Sequence, residues 1–154
     1  MSNSDLTDLL LTHLRKSLFL TFEKQAGLPL KITDSSDFVP GVTAGLDARD
    51  VNFSGHLQLS FTRDSFLSIA NHMLGEHENQ IGKNNESLAA ELLNLIYASA
   101  RTAINEAGYR FQPAIPFLMS SFNPAVIGIS HPIRIHCESS MGPIRLDIRL
   151  EETK

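Results

Sequence analysis

The sequence predicts an α+β fold, a two-layer sandwich of helices on a mostly antiparallel sheet. Three observations predict it. Apolar residues recur at helical spacing in three segments and at period two in others, in the order helix, strands, two helices, strands. The last segment, residues 144–150, alternates Ile144, Leu146, Ile148 and Leu150 with Arg145, Asp147 and Arg149, the pattern of a strand with one buried and one wet face. Hydrophobic residues are 42% of a chain of 154 residues, enough for one core and the ordinary size of one domain, spanning 1–154.

Each element has its own signal. Residues 5–26 carry Leu6, Leu10, Leu14, Leu18 and Phe22 every fourth position, and Gly27 and Pro29 stop that helix. A short strand is expected within 28–33, then a polar loop. Residues 41–46 and 51–61 form the next two strands, joined through turn residues at 47–50. In the second of these, Leu57, Leu59 and Phe61 alternate with Gln58 and Ser60. Thr62 is placed to cap a helix over 62–74, and Gly75 to end it. A third helix starts after Asn84 or Asn85, either of which can cap it, and runs to about Ala107 before Gly108. Residues 111–122, 133–137 and 144–150 are the remaining strands. The two halves share the order helix then strands, which hints at an internal repeat.

Composition narrows the function classes. The chain has 13 Lys and Arg against 17 Asp and Glu, a formal charge of −4, which argues against a nucleic-acid partner. Cys137 is the only cysteine, so neither an intramolecular disulfide nor a Cys-based zinc site is expected. His72 and His77 are five apart, as are His131 and His136, a spacing that does not share a helical face, so no metal site of its own is assigned. Cys137 and His136, adjacent on a strand, point to opposite faces and form no nucleophile pair. Glycines 41, 45 and 55 make no phosphate loop and serve strand geometry. There is no basic and apolar leader and no run of 18 apolar residues, so a cytoplasmic protein with no membrane segment is expected.

The third helix is the clearest. On a wheel of about 100° per residue, Ala89, Leu92, Leu93, Ile96, Ala100, Ala103, Ile104 and Ala107 gather on the core side. Ser87, Glu91, Asn94, Ala98, Thr102 and Asn105 gather opposite, with Arg101 and Leu95 on the two edges and Tyr97 towards the core. Glu91 and Asn94 stand about 60° apart on the exposed face. Ala98, one turn on, leaves room for another surface to approach. A carboxamide can hold a water through both donor and acceptor. A carboxylate can anchor a lysine of a partner by a charge-assisted contact. Spacing alone shows only that the pair is exposed together.

The run Glu91-Leu92-Leu93-Asn94-Leu95-Ile96 resembles the E-x-x-N signature of the CheC/CheX/FliY phosphatases of bacterial chemotaxis. Three further stretches resemble that family in order: Ser54-Gly55-His56-Leu57-Gln58-Leu59-Ser60-Phe61, then Met73-Leu74-Gly75-Glu76, then Ala114-Ile115-Pro116 after Gly108-Tyr109. The resemblance implies a CheC-like fold and hydrolysis of the aspartyl phosphate of a CheY-like response regulator. It implies that Asn94 orients the attacking water and Glu91 engages a regulator lysine, with Leu95 and Ala98 facing the partner. It implies no cofactor of its own, since the regulator binds Mg²⁺. The first helix offers Asp5-Leu6-Thr7-Asp8 and Glu23-Lys24-Gln25-Ala26, neither an E-x-x-N, so the chain resembles the single-site CheX type, commonly a homodimer. Where the family often has glycine after the signature, this chain has Ala98. A non-catalytic module that binds a regulator or a flagellar-switch component is the alternative of a different class.

Overall fold

The computed structural model describes residues 3–34, 37–119 and 132–152. These form three helices, α1 (Asn3–Ala26), α2 (Arg63–Leu74) and α3 (Ser87–Glu106). They also form six strands, β1 (Lys31–Ile32), β2 (Val42–Arg49), β3 (Phe53–Phe61), β4 (Phe117–Met119), β5 (Ile133–Glu138) and β6 (Ile144–Glu152). The strands make one sheet in the order β1-β5-β6-β3-β2-β4, and each pairing is antiparallel. The expected α+β sandwich is present.

The sheet order also answers the hint of a repeat. Exchanging β1 with β4, β2 with β5 and β3 with β6 turns the order into its own reverse. The two halves are thus related by a pseudo-two-fold through the central β3–β6 pair, where Leu57 faces Ile148. Each half lends its first strand to the other half's edge, so neither forms a complete sheet alone.

Period-two alternation sends Leu57, Leu59 and Phe61 of β3 and Ile144, Leu146 and Ile148 of β6 to the face covered by helices, where all are buried. The fourfold stripe of α1 (Leu6, Leu10, Leu14, Leu18 and Phe22) closes over them. Phe61 joins the layers, with its ring centroid 6.1 Å from Phe22 of α1 and 5.3 Å from Phe66 of α2. Helix α2 is bounded as expected. Thr62 accepts from the Ser65 amide, and Gly75 takes the left-handed conformation, φ 65°, that ends a helix without strain.

Several local expectations are corrected. The short strand within 28–33 is only Lys31–Ile32. Strand β2 runs on to Arg49, pairing Asp47, Ala48 and Arg49 with His56, Gly55 and Ser54, so residues 47–50 are not the turn. The turn lies at 50–52, where the Asp50 carboxylate accepts from the amides of Asn52 and Arg110. Of the strand expected at 111–122, residues 111–116 belong to no strand, although the Gln112 amide donates to the Arg49 carbonyl at 2.8 Å, 117–119 are β4, and 120–122 lie outside the described residues, as does His131. Gly45 sits where a Cβ would come within 2.8 Å of the Phe117 ring, so glycine lets β4 close on β2.

The second face of the sheet is not simply wet. Arg145 and Asp147, expected to be solvated, are buried along with Thr43, Gln58 and Ser60. Asp147 accepts from Nε of Arg134 and Nε of Arg145, each at 3.1 Å. The Arg145 guanidinium lies 4.7 Å over the Phe38 ring, which covers it from the loop before β2. Alternation reports which side of a strand a residue takes but not what later folds across it.

Candidate functional site

Helix α3 holds the candidate pair because its core face is well filled. Leu88, Ala89, Leu92, Leu93, Ile96, Tyr97, Ala100 and Ile104 are buried, and the helix packs over β2, β3 and β4. Ala103 is only half-buried, and Ala107, at the helix end, is exposed, so the apolar stripe stops one turn earlier than the wheel placed it. On the other side Glu91, Asn94 and Leu95 are exposed and Ala98 is half-buried. The structure therefore brings the four predicted residues onto one accessible strip of α3.

Neither the Glu91 carboxylate nor the Asn94 carboxamide bonds to another described residue. They are free to meet an incoming molecule, and the helix beneath them is fixed. Ser17 Oγ of α1 donates to the Ile96 carbonyl at 2.7 Å, within the turn that follows Asn94. Tyr97 turns inward and donates its hydroxyl to the Gln112 carbonyl at 2.6 Å. Asn105, which the wheel put on the open face, instead makes a two-way clasp. Its amide donates to the Phe111 carbonyl at 3.0 Å and its oxygen accepts from the Phe111 amide at 2.8 Å. Asn85 is buried before the first turn but does not cap α3. Its oxygen accepts from the Gly82 amide and its amide donates to the Gln80 carbonyl, which leaves Glu86 at the cap position with no side-chain bond.

These four holding residues lay beyond the reading of the motif. Ser17 leaves a trace, a polar residue beside the buried stripe of α1, and Asn105, three before Gly108, sits where a side chain closes a helix end. Neither trace names its partner.

Burial pushes the Tyr97 phenol up to about 12, against the pull of Arg101 and with help from Asp50. The unfolded chain ionises nearer 10.0, so Tyr97 favours the fold fully below pH 10.0, and that contribution drains away as pH climbs towards about 12. Tyr97→Phe is expected to cost about 1 kcal/mol through the lost bond. It is also expected to flatten the alkaline fall in stability. Urea unfolding at about pH 8 and about pH 11 checks both parts.

The other candidates find structural roles. Cys137 is fully buried and its thiol is pushed up to about 11 by burial, the reverse of an activated nucleophile. His72 Nε2 bonds the Ala26 carbonyl at 2.9 Å, tying α2 to the end of α1. Among the described residues no group of three or more His, Cys, Asp or Glu side chains converges as metal ligands would. No helix among them is long and apolar enough to cross a membrane.

Sequence comparison places this helix within a known family. The profile of the family "Chemotaxis phosphatase CheX" matches residues 45–138, more than half of the chain and all of α3. The chain belongs to the CheX family. Solved CheX and CheC-like structures share its fold. The chemotaxis protein CheX from Vibrio vulnificus superposes with a TM-score of 0.76 at 22% identity, covering 92% of this chain and 99% of that one. A CheC-like superfamily protein from Shewanella gives 0.74 at 24% identity, with 93% and 97% covered. The CheX of Borrelia burgdorferi, solved as a CheX–CheY complex with BeF3 and Mg²⁺, gives 0.73 at 12% identity, with 92% and 97% covered. No curated protein matches the chain.

Proposed function

We propose that the protein is a phosphatase for the aspartyl phosphate of a CheY-like response regulator, acting through Glu91 and Asn94. One observation carries this reading. An exposed carboxylate and carboxamide, unengaged by other described residues, stand on a helix held at its middle through Ile96 and Tyr97 and at its C-terminal end through Asn105, within the stretch matched to a chemotaxis phosphatase family.

In this mechanism the Glu91 carboxylate takes a lysine of the regulator and sets the approach. The Asn94 carboxamide holds a water in line with the phosphorus. The water oxygen bonds to phosphorus as the bond from phosphorus to the aspartyl oxygen breaks, leaving inorganic phosphate and a free carboxylate, with the water's proton passing to phosphate or solvent. Mg²⁺ belongs to the regulator and offsets charge on the transferring group. Leu95 and Ala98 form the neighbouring docking strip. The chain's share is positioning, which can supply several orders of magnitude. We place the protein in the cytoplasm, as a homodimer.

The test is the decay of a CheY-like regulator labelled with acetyl phosphate, with and without the protein. Faster phosphate release is expected. Binding without faster decay, or equal decay across the host's regulators, would overturn the catalytic reading.

A further inference from the structure

We propose that the groove between α1 and β1 is a second docking surface, taking an extended acidic and apolar segment of a partner protein that adds a strand to β1. The groove has a volume of about 480 Å³ and is lined by Thr12, Arg15, Lys16, Phe19, Leu20 and Ile32.

The backbone supplies the first part of the case. Strand β1 is the terminal strand of the sheet, and among the described residues no strand pairs with its outer edge. The Thr33 amide is spent on the His136 carbonyl at 2.9 Å. Backbone groups alternate along a strand, so the Ile32 amide and carbonyl turn away from β5, towards the open side. A segment lying there would pair with them as a further antiparallel or parallel strand.

The side chains supply the second part. Ile32 is in register with buried Cys137, which puts it on the face of the sheet that carries the helices. There it meets Phe19 and Leu20 across the groove. Ile32 is 48% exposed and Leu20 38% exposed. Large apolar side chains beside an open strand edge are a feature proteins usually blunt or cover.

Charge chooses the partner. The chain as a whole is acidic, at −4, yet the groove is rimmed by Arg15 and Lys16, both exposed and neither ion-paired with a described residue. An acidic segment is drawn to this rim and a basic one repelled. The apolar floor disfavours a free anion, which would bury its charge without enough donors. The surface is also independent of Glu91 and Asn94. Ser17 marks the side of α1 that touches α3; Thr12, Arg15, Lys16 and Phe19 lie roughly 100–160° around the helix from it, and Leu20, nearest to that side, roughly 60°. Both surfaces can be occupied together.

The probe is a short peptide alternating leucine with glutamate, compared with one alternating leucine with lysine, each titrated into the full chain. The glutamate peptide is expected to bind saturably and to shift the amide resonances of Leu20 and Ile32. The pair of charge reversals Arg15→Glu and Lys16→Glu is expected to weaken it roughly tenfold. Ile32→Pro, which removes the outward amide, is expected to abolish strand addition, and Leu20→Asp, on the helix side, provides a second variant that leaves β1 intact. None of these changes should slow regulator dephosphorylation. Equal binding of the two peptides, shifts centred on α3, or no saturable binding at millimolar peptide would overturn the proposal. So would Leu20 and Ile32 resonances that move on dilution of the protein alone, since a second copy would then be the occupant.

Discussion

Asn94→Ala is expected to lower the turnover of regulator phosphate by about 100-fold or more while leaving regulator binding nearly unchanged. A carboxamide that holds only the attacking water contributes in the transition state and little in the ground-state complex, so its loss falls on kcat. Glu91→Ala has a different signature. In the proposed mechanism its carboxylate meets a lysine of the partner before any bond changes, so KM is expected to rise first, and more steeply at low ionic strength, where the contact is least screened. Both residues are exposed and bond to no other described residue, so either change should leave unfolding by urea within about 0.5 kcal/mol of wild type. That separation is the force of the test. An Asn94→Ala protein that loses activity only because it has unfolded, or one that loses affinity and keeps kcat, contradicts the assignment. Asn94→Asp sharpens it, because a carboxylate has the size of the amide but cannot donate, and it adds negative charge beside a phosphoryl group.

Much of the candidate site is legible in the sequence. Period 3.6 sorted Glu91, Asn94 and Ala98 from Leu92, Leu93 and Ile96, because helix geometry is uniform along its length. The same regularity placed Leu6 to Phe22 in the core. The features that escaped were those made by long-range contact. Nothing near Ser17 in the chain announces the Ile96 carbonyl, and nothing near Tyr97 announces Gln112. Local rules make Asn85 a cap and Asn105 a solvated residue, and both instead hold loops whose path depends on the whole fold. The sheet order was also out of reach, since β1 pairs with β5 from the other half of the chain. Alternation in β6 sorts its residues onto the right faces but not their solvation, because Phe38 closes over Arg145 from a loop with no periodic signal.

That misread face is where the largest stability effect is expected. Asp147 is 2% exposed at its side chain and Arg145 10%, while Arg134, the second donor to Asp147, is 46% exposed. Burial pushes the Asp147 carboxyl above its ordinary value although two guanidiniums pull it down, and burial likewise lowers Arg145. Both directions say the same thing: taking these charges out of water costs more than their attraction returns. Removing one of them does not recover that cost. In Asp147→Ala the Arg145 guanidinium stays under Phe38 without its counter-charge, and a loss of about 3 kcal/mol is expected. The double replacement Arg145→Met with Asp147→Leu removes both charges and fills the space with apolar atoms, so it should recover most of that loss and can exceed wild type. Arg134 keeps its solvent and need not change. Urea unfolding of the two single variants and the double variant gives the coupling directly. Additive losses would show that the ion pair contributes nothing specific. A near-neutral Asp147→Ala would show that Arg145 finds water there, and that this face of the sheet is open after all.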